Sequence, residues 1–351
     1  MNASATSDFP SEKPQPNPTY NAIYNLPTIE NTTERGRLDF QHTALRIALG
    51  SLYAGRDFVK ATLAPKKEGP PPRVLDVGTG SGIWAESMAR EFPHAQVLGV
   101  DLTLVTPDSN TPPNCQFGYL DANDGFTGLG GSFDVIHMRS VGGGIRDHIR
   151  LVRDVARVLK PGGVFLWGAG DMNLYSENYE QWPRVEEGQE GWCAMHAIFT
   201  QVRDEFLKQG RDTHGLNEFK TLLDDSEYFT FRGQEDAFCP IGPWKDGANL
   251  ALHPVSFGDA ETCFVATDTP ETAWKQVGEL FALNVGRMAQ SLGSLLVQSG
   301  RDKETIDRWL ATAKEEIETC NPKTQALFRH MWAVRTEAEW TPSATEAAEA
   351  P

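Results

Sequence analysis

The sequence predicts an α/β protein, a parallel sheet wound by helices on both faces. Three observations carry this. Between residues 73 and 170, short β-rich runs alternate with stretches of helical spacing. The first run ends in a Gly-rich segment, GTGSG (78–82), that opens a helix. A Pro-Gly stop, LKPGG (159–163), ends another helix just before an apolar run.

The elements follow in order. Residues 37–58 carry Leu38, Ala44, Leu45, Ala48, Leu49 and Leu52 at helical spacing, which predicts one helix. The prolines of APKKEGPPPR (64–73) then force a loop. RVLDV (73–77) is the first expected strand, and a helix is expected over 83–92. QVLGVD (96–101), CQFGYL (115–120) and SFDVIHM (132–138) are the next strands. A helix over 145–159 leads to a fifth strand, VFLWGA (164–169). Beyond Gly170 the alternation fails. Helices are expected over 191–209, 216–224, 271–299 and 302–318, and strands over 228–233 and 326–336.

Composition bounds the rest. The chain has 351 residues, with 40% hydrophobic and 23% charged, as in globular domains. No apolar run approaches the ~18 residues of a membrane helix, so no membrane span is expected. MNASATSDFPSEKPQPNP lacks an apolar core and a basic start, so no signal peptide is expected. The formal charge of −16 disfavours nucleic acid as a partner. The five cysteines lie far apart without a CxxC pair, which disfavours a metal site or a disulfide framework. A reducing, cytoplasmic setting is the expectation. Residues 1–19 and 341–351 read as disordered tails.

The chemistry centres on VLDVGTGSGIW (74–84). A buried strand ends in Asp76, and Gly78, Gly80 and Gly82 let the backbone approach a ligand closely. The spacing is G-x-G-x-G after an acid, not the G-x-G-x-x-G of dinucleotide sites. An acid there repels a pyrophosphate but suits a ligand with an amine and no phosphate. S-adenosylmethionine has that character. Asp101 ends the second strand, where a carboxylate can accept both ribose hydroxyls. Asp121, before Ala122, can accept an adenine amino group, or equally form a loop Asx-turn.

In this order, LDVGTGSG, GVDL, the Asp121-Ala122 pair, FDVIHMRS and LKPGG resemble the class I S-adenosylmethionine-dependent methyltransferases. ERGRLDFQH (34–42), PPNCQF (112–117), HMR (137–139) and PIGPW (240–244) resemble the fungal LaeA-like subgroup. The resemblance implies a Rossmann-like seven-stranded sheet with an antiparallel last strand and a helical cap inserted before it. It implies a methyltransferase domain over 20–340. Within it, 73–170 would form the cofactor core, 171–320 the acceptor side and cap, and 326–336 the last strand. It implies cofactor contacts at Asp76, Gly78, Gly80, Gly82, Asp101, Leu102, Asp121, Ala122, His137 and Arg139. The family's acidic pair is Leu120-Asp121 here, and its Leu-Glu-Gln-like run is FLWGAGDMN.

Methyl transfer needs alignment of donor and acceptor, and a base only if the acceptor must lose a proton. His137 ends the fourth strand and is the candidate base, or else a wall of the cofactor pocket. Arg139 could hold the cofactor carboxylate or an acidic acceptor, or form a structural ion pair. His196 could serve the site or pack in the core. Trp167, Trp182, Trp192 and Trp244 could line an acceptor pocket. The expected activity is methylation at O or N of a small molecule, a fungal specialised metabolite. The alternatives are a LaeA-like regulator acting through protein complexes, and a nicotinamide reductase, which the glycine spacing disfavours.

Overall fold

The computed structural model describes residues 32–126, 129, 133–208, 217–245 and 270–341. Of the expected tails at 1–19 and 341–351, all but Thr341 lies outside them. Seven strands form one sheet: β1 (Arg73–Val77), β2 (Gln96–Asp101), β3 (Cys115–Tyr119), β4 (Phe133–Arg139), β5 (Leu159–Ser176), β6 (Phe229–Pro240) and β7 (Thr324–Arg335). The order is β3-β2-β1-β4-β5-β7-β6. β1 through β5 pair in parallel, and β7 runs antiparallel to both β5 and β6. The seven strands and the antiparallel last strand match the expectation. The chain steps outward from β1 to β3, then returns to β4 on the other side of β1. That reversal opens a crevice beyond the C-terminal ends of β1 and β4.

The helices are α1 (Thr32–Leu49), α2 (Arg56–Thr62), α3 (Ile83–Glu91), α4 (His148–Val158), α5 (Ala194–Lys208), α6 (Asn217–Asp225), α7 (Pro270–Gln298) and α8 (Lys303–Thr319). Strand side chains alternate between faces. Val74, Val135 and Val164 pack with Val59 of α2 and Trp84 and Met88 of α3. Their neighbours Leu75, Ile136 and Phe165 pack on the other face with Val152 and Val155 of α4 and Phe219 of α6. Burial on both faces makes these strands continuous apolar runs, so they stand out in the sequence.

A third core joins Leu45 of α1, Phe199 of α5, Phe281 of α7, Ile306 of α8 and Phe328 of β7. α7 and α8 enter the chain between β6 and β7 and form the expected cap. Glu316 of α8 accepts hydrogen bonds from the backbone N–H groups of Ala194 (2.7 Å) and Met195 (3.1 Å). These are donors that a helix start leaves unpaired, so the cap supplies the N-terminus of α5 with its partner.

The structure corrects four expectations. The helix expected over 37–58 is two, α1 and α2, because Gly50 and Gly55 take φ of 63° and 65°. A Cβ on Gly55 would sit 2.7 Å from the Trp332 ring. β5 begins at Leu159, so LKPGG is the first part of the strand rather than a loop before it. β6 extends to Pro240, well past the expected end at 233. Within α7, Thr272–Gln298 is long and apolar enough by length and composition to cross a membrane. Its Val277, Phe281, Val285 and Leu296 are buried in the third core, as in a core helix.

Candidate active site

β1 delivers the chain to the crevice at Val77, and the next residues turn with Gly78 at φ 72° and Gly80 at φ 61°. The N–H groups of Gly78 and Thr79 donate to the Val100 carbonyl at 2.8 and 3.0 Å, tying the loop to β2. A Cβ on Gly78 would lie 2.1 Å from Val141 Cγ1, so only glycine fits there. Leu38 of α1 closes over the loop from above, 3.1 Å from where a Gly80 Cβ would be.

Asp101 braces the same loop. Its Oδ2 accepts from the Gly80 N–H at 2.9 Å and its Oδ1 from the Thr103 N–H at 3.1 Å. Each oxygen keeps a lone pair for a ligand hydroxyl. Burial pushes its carboxyl up to about 6, against those two hydrogen bonds.

Asp76 and His137 are partners across the β1–β4 pairing. Asp76 Oδ1 lies 2.7 Å from His137 Nδ1, and Oδ2 accepts from the Thr79 hydroxyl at 2.7 Å. A carboxylate only accepts, so the proton sits on Nδ1 and Nε2 presents its lone pair. Trp84 stacks on the imidazole, with ring centroids 3.8 Å apart. Burial lowers the His137 pKa, opposed by Asp76, so the ring is neutral at physiological pH. Each Asp76 oxygen thus holds one hydrogen bond and keeps a lone pair. The acid expected to face a ligand amine also orients His137 and the loop, and it lines the cavity.

Arg139 is half-buried, and desolvation lowers it to about 10. It donates to His42 Nδ1 at 3.3 Å and has no ion-pair partner among the described residues. Burial beside Arg139 and His137 pushes His330 down to about 3, so no second cation forms there. A half-buried guanidinium lining a cavity without a carboxylate partner among the described residues fits an anionic ligand group.

These residues meet in a cavity of about 400 Å³. Asp76, Gly78, Gly80, Asp101, Leu102, Asp121, Ala122, His137 and Arg139 all line it. Gly82 does not. It caps α3 at φ 87°, and a Cβ there would meet the Phe117 ring at 2.8 Å, so it is a packing glycine. Asp121 forms the Asx-turn, accepting from the Asn123 N–H at 2.9 Å, while still facing the cavity. Of the tryptophans singled out, Trp167 lines the cavity, while Trp182, Trp192 and Trp244 do not. Trp84 was not expected there and does line it. His196 lies outside it, a core residue that burial lowers to about 4.

Sequence reasoning missed the far wall. Phe199, Phe206, Phe281, Met288 and Phe328 make it apolar, and Glu34, Arg37 and Asn284 add polar groups. The signal available was RLDFQH, which marked α1 as more than a surface helix. The arrangement suits a nucleoside-bearing ligand on the glycine side and an apolar molecule under the cap. The donor set fits S-adenosylmethionine: Asp101 for hydroxyls, Asp121 for an amino group and Arg139 for a carboxylate.

Residues 52–195 match the family model described as a methyltransferase domain. A secondary metabolism regulator laeA of Coprinopsis cinerea is 34% identical over 157 residues, 45% of this chain and 38% of its own. The chain thus spans under half the length of that relative. Methyltransferase str3 of Strobilurus tenacellus is 28% identical over 228 residues, 65% of this chain and 74% of its own. A methyltransferase of Thiobacillus denitrificans, solved with S-adenosyl-L-homocysteine, aligns at 14% identity and a TM-score of 0.38 over 83% of this chain and 97% of that one. Residues 52–195 therefore form a methyltransferase domain similar to that of these laeA and str relatives.

Proposed function

We propose that the protein transfers a methyl group from S-adenosylmethionine to O or N of a small, largely apolar molecule. The observation that carries this reading is the shared cavity. The glycine loop, Asp101 and Arg139 line the same space as the apolar face of the cap. When bound, the cofactor supplies a methyl group already activated on a sulfonium.

The chain's own residues then have four tasks. Gly78 and Gly80 give close backbone approach, and Asp101 accepts the ribose hydroxyls. Arg139 neutralises the carboxylate of the cofactor's amino-acid tail. The cap excludes water from the reacting pair and fixes their alignment. His137, oriented by Asp76, takes a proton at Nε2 from an acceptor hydroxyl or ammonium. The relatives named as secondary metabolism regulators link the reading to secondary metabolism.

A regulator without acceptor chemistry is the second reading, favoured by the laeA relatives at 34–36% identity. Two measurements separate the possibilities. Calorimetry on the full chain should show one site for S-adenosylhomocysteine and none for NADH, whereas tighter NADH binding contradicts the cofactor assignment. Methyl-labelled cofactor incubated with metabolite extracts should yield a labelled small molecule. Label recovered only in protein, or nowhere, favours the regulator.

A further inference from the structure

One face of α7 looks into the cavity. Phe281, Val285, Met288, Leu292 and Leu295 line it at helical spacing. Asn284 sits in the middle of this apolar stripe and is 1% exposed. Its Oδ1 accepts from Arg37 Nη1 at 2.8 Å. The rest of the Arg37 guanidinium is held by Glu34, at 2.8 and 2.6 Å. A guanidinium only donates, so the amide cannot be turned round: Oδ1 faces Arg37 and Nδ2 faces away. That Nδ2 has no hydrogen-bond partner among the described residues and is covered by its neighbours, so a ligand oxygen in the cavity reaches it where those neighbours give way. A buried amide donor with no acceptor is a standing cost, and an oxygen brought by a ligand removes it.

The geometry points to Asn284 as the polar anchor of the acceptor subsite. We propose that the acceptor is an apolar molecule, aromatic or branched, carrying a carbonyl-type oxygen that accepts from Asn284 Nδ2. This rests on reading the cavity as a methyl-acceptor site. The Glu34–Arg37 pair is internally neutralised, so it sets the amide's orientation and leaves no net charge to recruit an ionic acceptor. The apolar residues on either side of Asn284 along α7 exclude water, which makes this buried donor selective; Ser291 is the other polar side chain of that face. An acceptor lacking the oxygen would leave the amide unpaired, as it is now.

The probe is a propionyl-dimethylaminonaphthalene dye, whose emission shifts to the red when its carbonyl accepts a hydrogen bond. Its propyl analogue, with CH₂ in place of C=O, is the control. Both are titrated into the full chain, wild type and the variants Asn284→Asp and Asn284→Leu. Asn284→Asp keeps an oxygen for Arg37 and has no N–H. The ratio of ketone to propyl affinity is expected to fall about tenfold from wild type to either variant. Bound to wild type, the ketone is expected to emit as a hydrogen-bonded carbonyl. An unchanged ratio, hydrocarbon-like emission in wild type, or no binding of either dye overturns the proposal. The emission readout holds even where a variant does not fold. S-adenosylhomocysteine calorimetry on the same preparations tests the underlying reading separately. Loss of cofactor binding with the dye ratio intact sinks the methyltransferase reading and spares the subsite. Normal cofactor binding with no ratio effect does the reverse.

Discussion

Asp101→Asn should weaken S-adenosylhomocysteine binding about thirtyfold and abolish its pH dependence. The carboxylate is half-buried, and its oxygens already accept from Gly80 and Thr103 at 2.9 and 3.1 Å. Two ribose hydroxyls would add two charge-assisted bonds. Making each neutral costs about 1 kcal/mol, or about 2 kcal/mol together, which is roughly a factor of thirty. The pH effect has a definite sign. Without ligand, burial holds the group at about 6, above its ordinary 3.8. Its contribution to folding stability is therefore fully present below 3.8 and is lost as pH rises through about 6. Ligand hydroxyls favour the charged form, so binding releases a proton below about pH 6. Wild-type affinity should drop about tenfold for each unit of further acidification, within the pH range where the fold persists. Calorimetry between about pH 5 and 7.5 reads both effects, because the ligand's own carboxylate and amine titrate mostly outside that range. A flat wild-type profile, or an Asn variant of unchanged affinity, refutes the placement of the ribose on Asp101.

Three further outcomes follow. Gly78→Ala places a Cβ 2.1 Å from Val141 at a φ of 72°. It should lower cofactor affinity more than tenfold and reduce stability by about 1–2 kcal/mol, read by calorimetry and thermal melts. His137→Asn keeps an N–H for Asp76 Oδ1 but removes the Nε2 lone pair. Turnover with a competent acceptor should fall ~10²–10⁴-fold with cofactor affinity nearly kept, and a lost cofactor site would instead make His137 a pocket wall. A fragment ending at Ser299 lacks β7, which hydrogen-bonds to both β5 and β6. It should melt without cooperativity, and a sharp transition with cofactor binding would contradict the role given to that strand.

The cofactor half was legible in the sequence because its signals are local. Strands buried on both faces read as apolar runs, and the glycine loop and Asp101 are set by their own neighbours. The acceptor half was not. Asn284 meets Arg37 across 247 residues, and nothing near either residue announces the contact. α7 reads as an amphipathic core helix, which it also is. The extension of β6 was missed because RGQED (232–236) is polar, as in a loop. In the fold that stretch pairs with β7, and Asp236 accepts from Arg329 at 2.7 Å, so the polar side chains face partners or solvent. The break between α1 and α2 hides in two glycines that helical spacing alone ignores. Gly82 was assigned to the ligand by motif, whereas its positive φ serves the start of α3 and the approach of Phe117.

One cavity should hold cofactor and acceptor together. A crystal structure of the full chain soaked with S-adenosylhomocysteine decides this. The expected result places the ribose on Asp101, the carboxylate on Arg139, and the sulfur facing the space between His137 and the apolar face of α7. A ligand bound elsewhere, or one whose sulfur points away from that space, would contradict it.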